Sequence, residues 1–243
     1  MSILRTIAAW GLCLAWMSAP VAQARVVSAH AIPVAPWSFP ETPGQGVVPE
    51  YLKAMAEAAG MPIEVQTIPY LRVMQGMKDG STELTMLIPD DSRDAVGMRL
   101  CVLTHLQAGV VYKYSRYPKL LESGDLASKR VGVPRGSNAL DQLHAATRFE
   151  RYPIESVEQG LRMLALDRLD ATYVPSPGRE MLLQQARLSP DEYRFLEVTT
   201  HPLVLYVSRR SALAKESEKL AQLRQLCEGV LRKTMEQLIQ RYR

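Results

Sequence analysis

Two periods alternate along the chain. Apolar runs of strand length are separated by stretches whose apolar residues recur at helical spacing, the pattern of an α/β protein. Residues 25–30 predict a first strand, and a Pro-rich loop at 33–46 follows, carrying Trp37 and Phe39. Val47, Val48, Tyr51, Leu52, Met55 and Ala59 then predict a helix that Gly60 and Pro62 stop. A strand at 63–68, a helix at 70–78 ended by Gly80, a strand at 84–88 and a long strand-like stretch at 102–114 complete the first set. After Tyr117-Pro118 a second set begins, with strands at 130–133, 149–152 and 171–174. Helices at 157–166 and 181–186 and one opening at Gly136-Ser137-Asn138 alternate with them. Strands at 193–198 and 203–208 come next. Leu220, Leu223, Cys227, Val230, Leu231 and Leu238 predict one long C-terminal helix.

Residues 1–24 stand apart from this plan. Arg5, the apolar run 7–17 and the small-x-small site Ala22-Gln23-Ala24 have the layout of a signal peptide, which puts the mature start at Arg25 and the protein in the periplasm. The apolar run is too short to span a bilayer, which takes about 20 residues. In the exported protein Cys101 and Cys227 admit two readings, a disulfide or a pair of buried thiols.

Composition narrows the function. With 47% hydrophobic and 22% charged residues in 243, the chain is an ordinary globular one, not a disordered or fibrous one. Its 29 basic and 25 acidic residues are scattered, which argues against a nucleic-acid partner. The two cysteines that follow the leader and four dispersed histidines make no metal spacing, and no nucleophile elbow, Walker loop or dinucleotide fingerprint is present. These absences point to a binding protein without cofactor, not an enzyme.

Three segments carry candidate chemistry. Pro36-Trp37-Ser38-Phe39 sets two aromatics in a loop after a strand, where open α/β sheets form ligand crevices. Asp90-Asp91-Ser92-Arg93 follows a buried strand, and an Arg held there can fork onto a carboxylate, unless the flanking acids neutralise it. Gly136-Ser137-Asn138 opens a predicted helix, where amides are free for an anion or for capping by Ser137 or Asn138.

These pieces, in this order, resemble bacterial extracellular solute-binding protein family 3, the type II periplasmic binding proteins of ABC importers. The likeness covers the whole chain after the leader. It rests on the aromatic loop at 36–39, the segment 46–60, Lys78-Asp79-Gly80 and Asp90–Arg93. It continues with 126–137, where Ser128 stands for a usual Gly, and 157–171, where Asp167 does. The resemblance implies a two-lobed α/β fold in which each lobe is a sheet flanked by helices. Lobe 1 would be residues 25–112 and 201–243, lobe 2 residues 113–200, with crossings near 110–114 and 199–203. It also implies that Arg93 and Ser137 grip a ligand carboxylate and that Trp37 or Phe39 stacks on the ligand. Tyr70, Arg72, Asn138 and Tyr173 join them as candidate ligand-binding residues, Arg72 as a further cation.

One match fails. The family's amino-acid binders carry an acid four or five residues after an Asp-Ala pair, to hold the ligand ammonium. Here Pro175 takes that place after Asp170-Ala171, and only Glu41 of the aromatic loop could substitute. The expected ligand is a small carboxylate without an α-amino group, and the expected partner an inner-membrane permease or sensor. The alternatives are a dehydratase- or lyase-like enzyme on the same scaffold, or a ligandless regulator of a membrane protein.

Overall fold

The computed structural model describes residues 25–119 and 123–242. The proposed signal peptide lies outside them. Lobe 1 opens with β1 (Val27–Ala31), α1 (Val47–Ala59), β2 (Ile63–Thr67), α2 (Tyr70–Asp79), β3 (Leu84–Leu87) and α3 (Asp91–Val96). The long β4 (Gly97–Lys113) crosses into lobe 2. There β5 (Arg130–Pro134), α4 (Asp141–Thr147), β6 (Glu150–Ile154), α5 (Val157–Ala165), β7 (Ala171–Ser176) and α6 (Arg179–Gln185) follow. The second long strand, β8 (Tyr193–Ser208), returns to lobe 1, which α7 (Ser217–Glu228) and α8 (Leu231–Arg241) complete.

All strands join one sheet in the order β2-β1-β3-β8-β4-β7-β5-β6. β4 and β8 pair antiparallel from Gly97 opposite Ser208 to Lys113 opposite Tyr193, and so carry the sheet from one lobe to the other. The two lobes have separate apolar cores. On β4 the change of core falls between Leu106 and Ala108, and on β8 between Val198 and Leu203. Strand pairs without thick flanking helices are what a hinge between rigid lobes needs.

The local signals act as their chemistry requires. Val47, Val48, Tyr51, Leu52 and Met55 face the lobe 1 core, and Gly60 ends α1 in the left-handed region at φ 59°, its amide donating to Ala56 and Glu57. β3 is buried on both faces, as a central strand should be. β6 tolerates Pro153 because it is an edge strand. Glu83 is buried and accepts from the guanidinium of Arg25 (2.5 Å) and the amides of Ser28 and Leu213, tying the start of the described chain into lobe 1.

Several expectations need correction. The segments 193–198 and 203–208 are one continuous strand, because Thr199, Thr200 and His201 pair with β4 even where neither core covers them. β4 starts at Gly97, upstream of 102. Asp91–Val96, to which the sequence pattern assigns no element, is a short helix. The tail is two helices, broken at Gly229, although Leu223, Cys227, Leu231, Met235 and Leu238 still share the buried side. Cys101 on β4 and Cys227 on α7 form a disulfide with Cα atoms 6.4 Å apart.

Candidate functional site

The C-terminal ends of β1, β3, β5 and β7 meet between the lobes and border a half-open cavity of about 170 Å³. Crevices outside the carboxyl ends of strands are where α/β sheets bind ligands. Ile32, Val34, Val48, Met86 and Leu87 line it from lobe 1, Leu106 and Leu203 at the crossing strands, and Val157 and Pro175 from lobe 2. Into this apolar setting come Trp37, Tyr70, Arg93, Arg135, Ser137, Asn138 and Tyr173.

Arg93 is held in place from several sides. Asp90 caps α3 by accepting from the Arg93 amide at 2.8 Å, which fixes the Arg93 backbone at the end of β3. The guanidinium, from a residue only 4% exposed, donates from Nη1 to the Ile88 carbonyl and from Nη2 and Nε to the Tyr70 hydroxyl at 3.1 and 3.3 Å. Its Nε also lies 3.4 Å from Asp90 Oδ2. A guanidinium has five N–H groups, so one remains on each terminal nitrogen, the fork that fits a carboxylate. The flanking acid does pair with Arg93, as its position allowed, yet leaves that fork available.

Asp90 also reaches across the cleft. Its Oδ2 accepts from Asn138 Nδ2 of lobe 2 at 2.7 Å, and its Oδ1 from Ser92 Oγ at 2.7 Å. Burial works to raise the Asp90 carboxyl, but the Ser92 and Arg93 hydrogen bonds and the Arg93 charge outweigh it and hold it below its ordinary value. Two further contacts close the lobes. Gly136, at φ 75°, lies against the Tyr70 ring so closely that a Cβ would come within 2.8 Å of it, and a Cβ on Gly178 would collide with Pro36. Asn138→Ala is expected to shift the lobes toward open forms by roughly 1.5–3 kcal/mol, the worth of a hydrogen bond to a charged group. Small-angle scattering should show a larger radius of gyration, and an unchanged curve would show that this bond does not govern closure.

Six of the eight candidate residues line the cavity: Trp37, Tyr70, Arg93, Ser137, Asn138 and Tyr173. Phe39 does not; its ring packs against Tyr242 at 5.8 Å between centroids. Arg72 is exposed on α2 and is not among the lining residues. Ser137 and Asn138 border the cavity for a different reason than expected. Helix α4 starts only at Asp141 with no side-chain cap; Ser137 closes one turn by donating its amide to the Pro134 carbonyl and Asn138 opens the next by accepting from the Asp141 amide, so neither is a helix N-terminus. Burial pushes the Tyr173 phenol up to about 12, against the opposing pull of the Arg93 charge, so it is a neutral O–H donor. Asp90's place in the site was only half visible, because its partner Asn138 is remote in sequence. Among the described residues no group of His, Cys, Asp and Glu could hold a metal ion, and no helix is long and apolar enough to cross a membrane.

No family model matches this sequence, and no curated protein does. Solved structures are similar in fold. The VFT2 domain of BvgS from Bordetella pertussis, in a double-mutant form, superposes with a TM-score of 0.75 at 15% identity, covering 90% of this chain and 93% of that one. A histidine kinase sensor domain with similarity to periplasmic binding proteins gives 0.75 at 18%, covering 90% and 96%. The GluR0 ligand-binding core in complex with L-glutamate gives 0.73 at 16%, covering 91% and 99%. Nearly whole-length superposition, two lobes and two crossing strands together give this chain the periplasmic-binding-protein-like, Venus-flytrap fold that the sequence resemblance implied.

Proposed function

We propose that the chain is a periplasmic solute-binding protein that closes its lobes over a small carboxylate lacking an α-amino group, serving an ABC importer permease or a membrane sensor. The observation that carries this reading is the Arg93 fork in a cavity with no acidic lining residue. A buried ammonium needs a carboxylate or several acceptors. Pro175 lines the cavity without a side-chain acceptor, Glu41 is exposed and outside the lining, and Asp90 is engaged by Arg93, Ser92 and Asn138. The structural neighbours include a ligand-binding core and a sensor domain, which supports binding over catalysis. The disulfide supports an oxidising compartment. The histidine kinase sensor domain among the structural neighbours supports signalling as readily as transport.

A thermal-shift panel tests the ligand class, setting each amino acid beside its deaminated acid, such as leucine beside 4-methylpentanoate. At a hundredfold excess over Kd, a bound ligand adds about 2.7 kcal/mol, which is about 5–10 °C for a chain of this size. Such a shift is expected from deaminated acids. Stabilisation by an α-amino acid but not by its deaminated partner would restore ordinary amino-acid binding.

A further inference from the structure

Tyr173 meets the cavity from lobe 2 without a protein partner for its hydroxyl. The residue is 9% exposed and its ring packs in the lobe 2 core, yet Oη makes no hydrogen bond to any described residue. The Trp37 indole nitrogen and the Tyr51 hydroxyl also lack partners, but both are sealed off, so nothing bound in the cavity reaches them. The Tyr173 hydroxyl is not sealed in this way, and the open space that Tyr173 borders is the cavity. Buried polar groups are rarely left unpaired, because each costs a lost hydrogen bond. One that faces a binding space is completed by what binds there.

The neighbours decide what that partner is. Burial raises the phenol and keeps it protonated, and the opposing pull comes from the charge of Arg93, which enters the cavity from lobe 1. No side-chain carboxylate lines the cavity to accept the phenol's proton. A carboxylate on the Arg93 fork has two oxygens with about four acceptor sites, of which the fork fills two. Away from water, a buried ion pair is favourable only where further hydrogen bonds meet the remaining sites. The Tyr173 O–H is such a donor, and it stands on the other lobe.

Resting on the carboxylate reading above, we propose that the ligand's carboxylate is shared across the cleft, taking the Arg93 fork from lobe 1 and the Tyr173 O–H from lobe 2. One anion then touches both lobes, so its binding favours the closed form, in which both contacts exist.

Acids with no other acceptor isolate this contact. A cavity of about 150 Å³ takes up benzene, so about 170 Å³ suits benzoate, cyclohexanecarboxylate and 4-methylpentanoate. In calorimetry Tyr173→Phe should weaken each acid that binds the unaltered protein by about tenfold or more, as expected for one hydrogen bond to a charged group. The factor should be similar for each, because the lost bond is to the group they share. The ligand-free variant should melt no lower than the unaltered protein, since its hydroxyl gives up no protein partner. A residue that only shapes the fold would lower both. Should Tyr173→Phe not fold, 4-fluorophenylalanine at position 173 keeps the ring and a polar tip but cannot donate, with the same expected result. Unchanged affinity in the folded variant, or a loss that comes only with a lowered ligand-free melting temperature, would overturn the proposal while leaving the Arg93 site standing. If none of the three acids binds the unaltered protein, the carboxylate reading falls and this inference with it.

Discussion

Arg93→Ala is expected to weaken binding of a small carboxylate about a hundredfold or more. The guanidinium sits almost wholly out of water, so a carboxylate docked on it is desolvated too. Removing one partner of such a pair leaves the other charge buried and unpaired, which costs about 2–5 kcal/mol; each 1.4 kcal/mol is roughly tenfold in affinity. Arg93→Lys should recover only part of the loss, since a lysine ammonium keeps the charge but lacks the planar fork. Truncation also strips Tyr70, Asp90 and the Ile88 carbonyl of a donor. The ligand-free variant must therefore be shown to melt cooperatively before affinities are compared. With that control, equal affinity by calorimetry would place the carboxylate elsewhere.

Arg93 was legible in the sequence because its signal is local. A fully buried strand, an Asp cap and an Arg three residues on fix the side chain at the strand's end with no help from the rest of the chain. The ends of α1 and α2 were legible for the same reason, through Gly60 and Gly80. What the sequence hid is non-local. Gly136-Ser137-Asn138 has the composition of a helix start, yet the Asn138 amide is taken up by Asp90 of the other lobe, and the helix begins later. Phe39 looked like a ligand aromatic because its partner, Tyr242, comes at the far end of the chain. The polar stretch at 199–201 read as a gap between strands, whereas pairing with β4 carries the strand through it. The aliphatic cavity walls were unreadable on principle: Val48, Leu106 and Leu203 have the pattern of core residues and differ from them only in facing a space.

The disulfide was also undecidable from the sequence, and its removal has the second large expected effect. Cys101 and Cys227 are 126 residues apart, so the bond closes a loop that includes the whole of lobe 2. Loop-closure entropy alone would give about 5 kcal/mol, and measured contributions run at about 2–4 kcal/mol. For a chain of this length that corresponds to roughly 5–15 °C in melting temperature. The loss should fall on lobe 1, because the bond pins α7 to the lobe 1 part of β4, and both cysteines belong to that lobe's core. The lobe 2 core contains neither cysteine. Both are nearly buried, at 6% and 3% exposure, so reductant reaches them only through local opening. A Cys101→Ala/Cys227→Ala variant avoids that delay, and calorimetry of it beside the reduced and oxidised unaltered protein separates lost packing from lost cross-linking. Carboxylate affinity should be kept in the folded reduced protein, since neither cysteine lines the cavity. A melting temperature unchanged by reduction, with free thiols verified by mass, would show that the two cysteines act only as buried apolar groups.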